Sequence, residues 1–80
     1  MKQTKESIQF AIDTLTAEVS QKYAIEHQIT GTSSLRLFMG TDTFLLLSNP
    51  ESFLYLESAE YLLDMLYAEL QGDTERWLEV

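Results

Sequence analysis

Between Lys5 and about Ala24 the chain carries an apolar stripe that constrains its fold more than any other feature. Ile8, Ala11, Ile12, Leu15, Val19 and Tyr23 recur at steps of three and four. On a wheel of 100° per residue they occupy less than about 130°, the signature of an amphipathic helix. Thr4 stands at the N-cap position and Glu6 falls in the first turn, where a negative charge meets the positive end of the helix dipole. Phe10 lies on the opposite side of this helix, with Ala17 and Ala24, and does not belong to the core stripe. Such a helix must bury its stripe against the rest of the chain. Eighty residues provide one domain, 1–80, whose thin core buries roughly 60–65% of the unfolded surface.

A second helix is expected from the cluster Thr32-Ser33-Ser34, read as its cap, to about Met39, with Leu35, Phe38 and Met39 inward and Gly40 as a stop. Thr30-Gly31 before it reads as a turn. Residues 41–56 support two readings. The apolar runs Phe44–Leu47 and Phe53–Leu56, split by Asn49-Pro50, fit a short β-hairpin. They also fit a short helix from Thr41 that ends at Asn49-Pro50, followed by an extended segment. Leucine favours helix over strand and neither run is β-branched, so the helix is preferred.

The last helix starts from Ser58 as N-cap and is expected to stop at Gly72. Ala59, Leu62, Leu63, Leu66 and Leu70 form a stripe about 100° wide. Tyr61, Met65 and Ala68 form a second apolar strip, and Tyr67 borders the first. A helix with two apolar flanks is either central to its fold or touched by a partner. Residues 73–80 read as a polar tail that could fray, although Trp77 and Leu78 give it apolar surface. The expected fold is thus mainly α, with three to four short helices and the helix-or-hairpin alternative at 41–56.

Charge and composition narrow the function. The net charge is −8, and the 39 residues from Leu37 to Glu75 contain eight carboxylates and neither Lys nor Arg. Such a surface repels phosphate, which argues against direct nucleic-acid binding and against an anionic membrane. Without cysteine there is no disulfide, thiolate metal site or cysteine nucleophile. Small secreted domains generally need such staples, and residues 1–6 lead into a mixed polar pattern with no apolar signal core, so a cytoplasmic location is expected.

No catalytic signature emerges, and neither a cofactor nor a small-molecule substrate is implied. His27, the sole histidine, reads as an exposed helix-end residue whose neighbour Glu26 would not share its side. Glu57, Glu60 and Asp64 share a helix face, but they lack the Glu-x-x-His step of di-iron bundles and the glycine-centred loop of an EF-hand. Ser33 and Ser34 follow Gly31 without the lysine of a phosphate loop. A thin core also leaves little room for a deep pocket. The surplus apolar residues Phe10, Tyr61, Met65 and Trp77 are therefore the candidate partner-binding set, since Trp, Tyr and Met are enriched at interface centres.

A family resemblance points the same way. Its elements are the N-terminal amphipathic helix, the Thr30-Gly31 turn, Leu35-x-x-Phe38, and Leu46-Leu47-Ser48-Asn49-Pro50-Glu51-Ser52 before Leu54-Tyr55-Leu56-Glu57-Ser58. A helix near Tyr61-Leu62 completes it. In these the chain resembles small uncharacterised bacterial helical proteins, some encoded beside candidate toxins, including ADP-ribosyltransferase-like ones. The resemblance implies a protein-binding accessory or antitoxin-like role and brings no catalytic residues. The function expected is an acidic protein-interaction module that binds another protein or itself as a homodimer. The alternative is an acidic mimic of nucleic acid that blocks a basic enzyme.

Overall fold

The computed structural model describes residues 4–72 as four α-helices and two 3-10 turns, with no strand among them. Helix α1, Lys5–His27, is capped by Thr4, whose hydroxyl accepts the Ser7 amide at 3.0 Å. It runs one turn beyond Ala24 and stops where Gln28 turns left-handed, with φ 56°. The expected stripe is the core face: Ile12, Leu15, Val19 and Tyr23 are buried, and Ile8 and Ala11 pack partly against them.

Helix α2, Gly31–Met39, begins earlier than the sequence suggested. Thr30 is the cap and its hydroxyl accepts the Ser33 amide at 3.0 Å, so Thr32-Ser33-Ser34 are the first turn and not the cap. The inward face is corrected too. Phe38 and Ser34 are fully buried, whereas Leu35 and Met39 are exposed. Ser34 donates its hydroxyl to the Ser20 carbonyl at 2.5 Å, where α2 crosses α1. Two small serines at the crossing let the backbones approach closely. That contact turns Leu35 and Met39 outward.

Helix α3, Asp42–Ser48, realises the helical alternative for this stretch, with Thr41 as cap and Asn49-Pro50 as its end. Neither a hairpin nor an extended segment follows. Pro50–Ser52 and Leu54–Leu56 are 3-10 turns. Asn49 caps the first through the Glu51 amide, and the Ser52 hydroxyl donates back to the Leu46 carbonyl at 2.5 Å. Phe53, left-handed at φ 59°, separates the two turns. These local side-chain bonds fold the backbone back on itself and leave it no ladder to join.

Helix α4, Ala59–Leu70, starts from Ser58, whose hydroxyl accepts the Tyr61 amide. It ends before Gly72, and Leu70, assigned to the inner stripe, is exposed. Both α1 and α3 pack on α4. The second apolar strip is therefore covered by the chain itself at Met65 and Ala68, both buried. The molecule measures 39 × 29 × 18 Å. Its shortest dimension is under two helix diameters, which matches a two-layer packing. No described helix is long and apolar enough to cross a membrane.

Candidate functional site

A groove of about 870 Å³ is lined by α1 and α2, with Phe44 and Ser48 from α3. Along α1 it runs from Gln9 to Gln28, about 30 Å at 1.5 Å per residue. Ala17 and Ala24 contribute small side chains from α1, and Gly31 opens α2. Ile25 and Ile29 line one end, and Leu35 and Met39 the α2 side. Ile25 is 70% exposed and Met39 52%, so this apolar wall stands in water. Asp13 is the one charged residue of the lining, and its carboxylate accepts the Gln9 side-chain amide at 2.9 Å. The concavity is an open groove between helices at the surface, and the core residue Ile12 is part of its lining.

The candidate set is dispersed. Phe10 is 73% exposed and, at steps of seven from Ala17 and Ala24, stands on the groove side of α1. Its companion Ala24 is buried, because α2 packs beside it. Tyr61 is at the surface of α4, which packs against the other side of α1. Met65, only 4% exposed, is a core residue and offers a partner no surface. Trp77 and the tail expected at 73–80 lie outside the described residues. Sequence reasoning missed Ile25, Ile29, Leu35 and Met39. The isoleucines carried a legible signal, since they sit four apart and off the core stripe. The outward turn of Leu35 and Met39 carried none.

Tyr67 joins two residues that the sequence reading kept apart. Its hydroxyl donates to the Glu26 carboxylate and lies 3.1 Å from His27 Nε2. The single phenolic proton is committed to Glu26, so the His27 contact requires Nε2–H as donor. Tyr23 stacks on His27 at 4.1 Å between ring centroids and completes the cluster. Burial in the first place, and then the bond to Glu26 and its charge, push the Tyr67 phenol up to about 12. The hydroxyl therefore stays protonated at neutral pH and acts as a strut between α4 and the end of α1.

The carboxylates divide into solvated and structural groups. Glu60 forms an ion pair with Lys22 at 3.4 Å. Its carboxyl is held below the usual range by a backbone hydrogen bond in the first turn of α4 and then by Lys22. Glu69 reaches from α4 to the start of α3 and accepts the Asp42 and Thr43 amides and the Thr43 hydroxyl, each at 2.8 Å. Among the described residues no group of three His, Cys, Asp or Glu side chains is placed to hold a metal ion. Ser33 and Ser34 are engaged by Thr30 and Ser20. Comparison with protein-family models, with curated proteins and with solved structures returns no match.

Proposed function

We propose that this chain is a protein-interaction module that receives a segment of another protein in the groove between α1 and α2. The observation that carries this reading is a single groove that gathers the exposed apolar side chains Ile25, Ile29, Leu35 and Met39. Soluble monomers seldom leave a large contiguous apolar patch exposed unless something binds it. An accessory or antitoxin-like role is the biological form this would take. The acidic-mimic alternative has less support, because Glu60 and Glu69 are engaged within the chain.

The experiment is affinity capture from the native host with three baits: the wild type, Ile25→Glu with Met39→Glu, and Phe53→Ser with Leu56→Ser. All four positions are exposed, so the fold should tolerate each pair of changes. The captured polypeptide is then purified and its binding measured directly. Retention by the wild type and the 53/56 variant, with at least a tenfold loss in the groove variant, supports the reading; tenfold corresponds to about 1.4 kcal/mol. Equal binding by all three, or no polypeptide that rebinds when pure, sinks it.

A further inference from the structure

We infer that the groove is the seat of the chain's own segment 73–80, anchored by Trp77 and Leu78, and that a partner must displace it. The displacement rests on the interaction-module reading; the seat does not. The segment lies outside the described residues, and reach, charge and chemistry each point it to this groove. Reach follows from the last turn of α4, which is tied to two rims of the groove. Tyr67 meets Glu26 and His27, the chain neighbours of Ile25 and Gln28 in the lining. Glu69 accepts the Asp42 and Thr43 amides at 2.8 Å, next to Phe44 of the lining. The Gly72 amide donates to the Glu69 carbonyl at 3.0 Å, which keeps the two residues in one turn. From Gly72 through Glu69 and Thr43 to Phe44 the links amount to at most roughly 20 Å. Six residues, Asp73 to Leu78, reach roughly the same 20 Å at full extension, before any side-chain length is added.

Charge selects the same half of the molecule. Residues 1–36 balance four basic side chains against four acidic ones, whereas residues 37–72 carry six carboxylates and neither Lys nor Arg. The segment itself sets Asp73, Glu75 and Glu79 against Arg76 alone, so the α3–α4 half repels it. The groove is built chiefly from α1 and α2, and Asp13, its one charged residue, already accepts the Gln9 side-chain amide. The exposed Phe53 and Leu56 offer a rival apolar surface, but Glu51 and Glu57 flank it. The chemistry agrees. Ile25, Ile29, Leu35 and Met39 form a small apolar set beside a polar stretch of α1, which suits a segment with two apolar anchors. Leaving an indole and a leucine side chain in water is unfavourable. A tether this short holds the anchors at an effective concentration on the order of millimolar, so even a weak contact fills the groove.

Trp77 is the sole tryptophan and reports its own surroundings. Fluorescence emission of the full chain is expected to be blue-shifted from that of the urea-unfolded chain and shielded from acrylamide. Ile25→Glu with Met39→Glu should return the emission towards the unfolded position and raise the quenching constant several-fold. Phe53→Ser with Leu56→Ser should change neither. A second readout does not depend on how the groove variant folds. Trp77→Ala with Leu78→Ala should move the amide chemical shifts of Ile25, Ile29, Leu35 and Met39 and leave those around Phe53 in place. The same alanine pair should bind the polypeptide captured from the host several-fold more tightly than the wild type, because its groove stands open.

A wild-type emission that matches the unfolded chain overturns the inference, as do amide shifts confined to residues outside the groove. So does emission that reddens on about a hundredfold dilution, which would seat the segment on another copy of the chain. If host capture maps to the groove while Trp77 is in water, the interaction module stands and the seat falls. If Trp77 is seated and no host polypeptide is captured, the seat stands and the module falls. A seated Trp77 whose removal leaves partner affinity unchanged overturns the displacement.

Discussion

At the scale of single residues, hydroxyl groups decide more of this protein than its charges do. Thr4, Thr30, Thr41 and Ser58 each accept an amide three residues on and start a helix. Three of those caps were legible from the sequence. Thr30 was not, because Thr32, Ser33 and Ser34 offered equally good capping chemistry nearby. Tyr67 has a testable consequence for pH dependence. Its phenol ionises near 12 in the folded chain against 10.0 for a free phenol. The neutral form is thus favoured by folding. The stability due to this group is fully present below about pH 10 and is lost as the pH rises through 12. Urea midpoints at about pH 9 and about pH 11 should show the wild type losing more stability than Tyr67→Phe, and the variant should be weaker by about 1 kcal/mol at neutral pH. Parallel losses would mean that Tyr67 is not the perturbed group.

At the scale of elements, the shortest helix depends most on distant support. Helix α3 spans Asp42–Ser48, too short to persist alone. Its first amides would remain unsatisfied without the Glu69 carboxylate delivered by α4. Glu69→Ala is expected to cost roughly 1–3 kcal/mol in chemical denaturation, because it strands amides close to the buried Thr43. Glu69→Gln keeps an acceptor and should recover part of that loss. A Glu69→Ala protein with wild-type stability would show that water replaces the carboxylate. Sequence reasoning counted Glu69 only among the eight carboxylates of the stretch from Leu37 to Glu75. A contact spanning 26 and 27 residues of sequence leaves no periodic trace.

At the scale of the whole molecule, a charge of −8 acts on a fold 18 Å thick. Few basic side chains offset the carboxylates, and self-repulsion opposes compaction. Added salt should therefore raise Tm by a few degrees between ~10 and ~300 mM, where the screening length contracts to below the size of the protein. A Tm that falls or stays flat would show that local pairs such as Lys22–Glu60 outweigh the general repulsion.

The sequence by itself determined the helical class, the long first helix with its core stripe and the last helix from Ser58, while 41–56 stayed open between helix and hairpin until the structure placed Asp42–Ser48 as a helix. What it determined depends on chemistry within a few residues: apolar spacing or a cap. Only the tertiary structure decided which apolar residues remained outside. Met65 became core because α1 and α3 both pack on α4, while Leu35 and Met39 were turned outward by the Ser20–Ser34 crossing. The stripe at Lys5–Ala24 announced what its helix would bury. The opposite side of that helix, with Phe10, Ala17 and the groove, became a surface only when α2 was set beside it. A periodic pattern specifies one face, but where the next helix crosses is fixed by side-chain size at a single distant contact.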